Sequence, residues 1–243
     1  MTPLFQKILL SSLFPVFTML VGGSIAIIKR PSANVRSIIL HFAAGVVFAV
    51  VAVEILPIMI KTHRAWETII GFTLGFITMA GLKKLLEIKS SREAEPAKNK
   101  IPMSLLLAIG IDIFIDGLLL GIGFAAGSEE GMLLAFALSI EFLSLGIATA
   151  TELGENKIKP ARAISVIFSL AGVFFISAVL GATLLHKLSD NVMELVLSFG
   201  LSALLYLVTE ELLLEAHEEK ETVVHSATFF CGFLIILIFG MTM

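Results

Sequence analysis

The chain has 243 residues, of which 57% are apolar and 15% charged, with a mean hydropathy of +1.00 and a formal net charge of −3. A soluble domain of this length carries about a quarter charged residues, so an ordinary cytosolic enzyme is excluded, as is a nucleic-acid binder held by bulk positive charge. The single cysteine, Cys231, rules out an intrachain disulfide and a thiolate metal site.

A membrane helix needs about 20 mostly apolar residues to cross a hydrocarbon core of about 30 Å. Eight stretches meet this, at 8–28, 37–60, 66–86, 102–126, 131–153, 161–186, 191–215 and 222–241. The first is longer than the apolar part of a signal peptide and runs into Lys29 and Arg30 without a small-residue cleavage motif, so it reads as a retained helix. The sequence thus predicts an all-α membrane protein forming one polytopic domain over 1–243. Residues 87–101 are short, polar and mixed in charge, and read as a flexible link.

Lysine and arginine orient the bundle. The loops after helices one, three, five and seven hold 13 of them, and the termini and remaining loops hold 4. By the positive-inside rule the richer side is cytoplasmic, which places the 87–101 link inside and both termini outside. The cell membrane is the expected location.

Residues 41–57 align without gaps to residues 198–214: Phe42 falls on Phe199, Glu54 on Glu211 and Leu56 on Leu213. Helix two runs outward and helix seven inward on this topology. The repeat is therefore inverted, relating helices one to three to helices six to eight around helices four and five, as in many secondary transporters. Two apolar helices can also look alike by composition, but the coincident glutamates favour a true repeat.

Helices four and five carry the chemistry. Asp112 and Asp116 are four residues apart and share one face, and Glu141 lies near the middle of helix five. An acid at a helix centre costs about 2.5–3.5 kcal/mol on insertion scales, so three cost about 8–10 kcal/mol unless compensated. No lysine or arginine stands at similar depth in the spans. A bound cation, protons or water must compensate; the bland alternative is neutral carboxyls hydrogen-bonded to Ser139 or Ser144. The small-residue pairs Gly71 with Gly75, Gly117 with Gly121 and Gly123 with Gly127 read as helix-packing surfaces.

At the periphery, His63, Glu129, Glu130, His186 and Asp190 collect at the outer mouth. Glu210, Glu211, Glu215, His217, Glu218, Glu219 and His225 collect at the inner one. Glu54, Glu210, Glu211 and His217 are the candidates for a transport route. His41 reads equally well as a packed, hydrogen-bonded residue and as a ligand.

Over nearly its whole length the sequence resembles the ZIP (Zrt/Irt-like) family of divalent-metal transporters. Phe42, Ala43, Ala44, Gly45 and the run Glu54 to Pro57 are similar to that family's second helix. Leu205, Tyr206 and the run Glu210 to His217 are similar to its seventh. The family's fourth-helix pattern His-Asn-x-x-Asp-Gly falls on Asp112, Ile113, Asp116 and Gly117. Its fifth-helix pattern His-Glu-x-Pro-His/Glu falls on Ile140, Glu141, Leu143 and Ser144. Phe174 stands near the place of an acid often found in helix six.

With those replacements, the resemblance implies one oxygen-only metal site built from Asp112, Asp116 and Glu141 with Ser144 and water, rather than a two-metal centre. Such a ligand set suits magnesium, manganese or calcium, whereas zinc sites usually recruit imidazole or thiolate. The expected function is alternating-access transport of a divalent cation of the zinc, iron or manganese class. The alternatives are proton or non-metal solute transport on the same fold, or a non-transporting membrane scaffold or sensor. No enzyme motif and no nucleotide-binding loop occurs. The expected partners are the transported metal and the lipid bilayer, with a homodimer compatible; no resident cofactor and no nucleic acid are expected.

Overall fold

The computed structural model describes residues 3–92, 101, 103–184, 189–217 and 222–242. Most of the 87–101 link, His186, Glu218 and Glu219 lie outside the described residues, and so does the Glu54 side chain.

Among the described residues the chain is helical throughout, without a strand. We number the long helices α1 (Pro3–Ile28), α2 (Ala33–Thr62), α3 (Ala65–Arg92), α4 (Met103–Ala126), α5 (Ser128–Glu155), α6 (Pro160–Leu184), α7 (Asp190–Ala216) and α8 (Val223–Thr242). Seven of them are long and apolar enough to cross a membrane, and α4, at 24 residues, is of matching length. The connections are short. A Ser32 hydroxyl caps α2 by accepting from the Val35 N–H, and α5 begins directly after Gly127.

Several helices extend past the apolar stretches, with α1 beginning at Pro3 and α2 at Ala33, and α3 runs furthest. Helix α3 does not stop at residue 86 but runs to Arg92, into the stretch read as link. Apolar length decides where a span ends, whereas helix formation needs only residues that tolerate it, and Glu87, Lys89 and Arg92 are good helix formers.

Both α2 and α7 contain a π-helical turn, at Val51–Ile55 and Val208–Leu212. Such turns insert an extra residue into the i→i−4 ladder and gather at functional sites. Pro57 follows the first and removes a backbone donor, but α7 makes the same turn with Leu214 at the aligned position. The proline is therefore not what the turn requires.

The helices pack in two tight sets. Helix α1 lies along α5, α4 lies along α6, and α1 also touches α6. Helix α2 lies along α8, and α3 along α7. Backbones meet closely at glycines: a Cβ on Gly22 would strike the Leu143 carbonyl, one on Gly146 the Met19 carbonyl, and one on Gly232 the Phe42 carbonyl. In lipid, where burying apolar surface gives no net drive between helices, such close approach supplies the association energy through dispersion. Helix α5 is the most buried of the spans. Helices α3 and α8 form the rim and expose Phe72, Phe76, Phe230 and Phe239, as lipid contact demands.

Candidate metal centre

Asp112 and Asp116 project from α4 one turn apart, toward Glu141 of α5. One carboxylate oxygen from each lies within 4.8 Å of the others. Asp116 and Glu141 are each 2% exposed, and Asp112 is half-buried. Asp116 Oδ2 and Glu141 Oε2 are sealed from solvent and have no hydrogen-bond partner among the described residues. No described lysine, arginine or histidine forms an ion pair with any of the three.

The neutral alternative loses one of its supports here. The Ser139 hydroxyl donates to the Ala135 carbonyl at 2.6 Å, and among the described residues no hydrogen bond joins it to a carboxyl of the cluster. Ser144 is buried one turn beyond Glu141 on the same helix. Two unit charges within the 4.8 Å of this cluster repel by about 3–4 kcal/mol or more at an effective dielectric near 20. A cation lying between three ionised carboxylates would offset this repulsion.

The surroundings on the α6 side are closely packed. Phe142, next to Glu141, meets Phe174 of α6 edge-on, with ring centroids 4.7 Å apart, and both are fully buried. A Cβ on Gly117, the neighbour of Asp116, would strike the Ser177 hydroxyl and come within 2.6 Å of the Phe174 carbonyl. The glycine thus lets α6 close over the aspartates.

The remaining site candidates divide. Glu211, in the π-helical turn of α7, is half-buried and close enough to repel each of the three cluster carboxylates. Glu210 is exposed and tied to Lys83 of α3 at 2.9 Å. His217, at the end of α7, is exposed and lies edge-on to His41, with centroids 5.2 Å apart. Glu54 sits in the π-helical turn of α2.

Two features escaped the sequence reading. Glu194 is 1% exposed near the start of α7, where it accepts from Thr62 at 2.7 Å and Thr68 at 2.8 Å. It thereby fastens α7 to the end of α2 and the start of α3. Its signal was an acid one turn inside an apolar run, the same signal that flagged the aspartates. His41 and His225 are both buried and stacked, with centroids 5.3 Å apart. Being 184 residues apart in sequence, they gave no local sign of this.

Comparison with curated proteins finds no match. A family model described as the ZIP zinc transporter matches residues 87–240, which is more than half of the chain and includes every residue of the carboxylate cluster. Together with helices of membrane-spanning length and a buried acidic cluster able to hold a metal, this match shows that the chain belongs to the ZIP zinc transporter family, whose members are integral membrane transporters of divalent metals and not enzymes.

Proposed function

We propose that this transporter carries one divalent cation at a time through a single oxygen site formed by Asp112, Asp116 and Glu141, with Ser144 and water completing the shell. The observation that carries the reading is the convergence of three carboxylates from α4 and α5, two of them with buried oxygens that no described residue satisfies. An all-oxygen set favours manganese, magnesium or calcium as far as its own chemistry goes. From the cluster the ion passes Glu211 and leaves near His217. Glu210 stands at that mouth, held by Lys83.

The end of the bundle where α7 stops and α8 begins is the cytoplasmic one by the distribution of lysine and arginine, which puts both termini outside the cell membrane. Access alternates by movement of α1, α4, α5 and α6 as one body against α2, α3, α7 and α8. The glycine contacts support that division, because apart from Gly200 of α7, which faces the Leu119 side chain of α4, they join helices within each set.

Three matches support the inverted repeat behind this motion. Shifting α2 by 157 residues superimposes Val51–Ile55 on Val208–Leu212, so both π-helical turns coincide. The same shift carries Gly75 onto Gly232 and Phe42 onto Phe199. Gly232 meets the Phe42 carbonyl, and Gly75 meets the Phe199 carbonyl.

Uptake of manganese and of zinc into liposomes holding the purified chain tests the reading. Saturable uptake that Asp116→Asn abolishes is the expected result. Uptake equal in both proteins removes the cluster from the mechanism, and proton flux without metal flux would favour a proton carrier of the same architecture.

A further inference from the structure

Three imidazoles gather at the cytoplasmic end of the bundle, away from the carboxylate cluster. His41 begins the buried part of α2, His217 ends α7, and His225 starts α8. The hydrogen bonds of His41 and His225 fix what those two rings can do.

His225 is fully engaged. Its Nδ1 accepts from the Thr222 backbone N–H at 3.1 Å, so its Nε2 carries the proton and donates to Asn34 Oδ1 at 3.0 Å. His41 is set the other way. Its Nδ1 lies 2.8 Å from the Ser37 carbonyl oxygen, so that nitrogen holds the proton. The Ser37 hydroxyl donates to the Ala216 carbonyl at 2.7 Å and cannot change this. The lone pair of His41 is therefore on Nε2, to which no hydrogen bond is made among the described residues. A backbone carbonyl on the far nitrogen is the usual way a metal-binding histidine is aimed. His225 stacks flat on the His41 ring and holds its plane.

His217 approaches this ring edge-on, with the centroids 5.2 Å apart and an interplanar angle of 84°. Two imidazoles bound to one zinc through bonds of about 2.0–2.1 Å at a tetrahedral angle have centroids about 5.2 Å apart. We propose that His41 Nε2 and His217 form a second cation station, for zinc and similar borderline divalent ions, at the cytoplasmic mouth. It rests on the cation-transport reading for its place on the route, but not for its ligands. Imidazole prefers such ions over magnesium or calcium, so this pair adds a preference that the carboxylate site lacks.

Calorimetric titration of the full chain in detergent tests it, in an Asp112→Asn, Asp116→Asn, Glu141→Gln background that disables the carboxylate site. We expect that background to retain one zinc per chain and to bind no manganese. Adding His41→Gln or His217→Ala weakens zinc binding at least tenfold. His217 is exposed, so its replacement leaves the fold intact even where the buried His41 variant does not fold. Loss of zinc binding in the background itself, or unchanged binding in the His217→Ala protein, overturns the station. A wild-type chain that binds zinc here but moves no metal across liposomes counts against the transport reading alone.

Discussion

Phe174 of α6 meets Phe142 of α5 edge-on, and the contact sits directly beside Glu141. The ground where the family resemblance places a further carboxylate is thus filled by an aromatic pair. A well-placed edge-to-face pair adds about 0.5–1.5 kcal/mol beyond its buried area. Replacing Phe174 with alanine should cost about 3–5 kcal/mol of stability by opening a cavity. Thermal unfolding in detergent reads this directly, and an unchanged midpoint would show that the pair is not the packing centre described here.

The three acids are not equivalent. Asp116 and Glu141 are almost wholly buried with an orphaned oxygen each, while Asp112 is half-buried. Loss of a charged hydrogen-bonding or ligating oxygen costs about 1.5–3 kcal/mol, or roughly 10- to 100-fold. Asp116→Asn and Glu141→Gln should each lower metal uptake by at least that factor, and Asp112→Asn by less. The half-buried Asp112 is the position with most room for a replacement ligand. The order of the three in a liposome uptake assay is the check.

Gly117 has no room for a methyl group, since α6 presents the Ser177 hydroxyl and the Phe174 carbonyl against it. Overpacking a well-filled core costs about 1–3 kcal/mol. Gly117→Ala should therefore unfold at lower temperature and lose uptake, by pushing α6 off the aspartates. Gly172 of α6, where a Cβ meets nothing within 4 Å, supplies the control: Gly172→Ala should leave both properties unchanged.

At the opposite end of the bundle, Glu194 holds two threonine hydroxyls from α2 and α3. Truncation to alanine removes both bonds and should cost about 1–3 kcal/mol. Glutamine keeps the shape and one acceptor and should cost less. Unfolding midpoints of the two variants, measured side by side, decide whether this contact fastens the helices.

Apolar runs announced the spans, and the i, i+4 spacing of Asp112 and Asp116 announced their shared face. Glu141 was legible for the same reason, as an acid too costly to bury without purpose. What lies between helices was not legible. The stacking of His41 on His225 depends on α8 returning along α2, and burial of Glu194 depends on Thr62 and Thr68 arriving beside it. The course of α3 to Arg92 was missed because hydropathy reports the membrane and not the helix. The paired π-helical turns were missed because no residue pattern shared by both turns requires them. The aligned glutamates, Glu54 and Glu211, still marked the right places.

The proposed site requires Asp116 and Glu141, brought together within a few ångströms, to hold a divalent cation between them. Equilibrium binding of manganese to the purified chain tests it most directly. The account predicts one manganese per wild-type chain and none in the Asp116→Asn, Glu141→Gln double variant, with both proteins equally folded. Equal manganese binding by the two would contradict it.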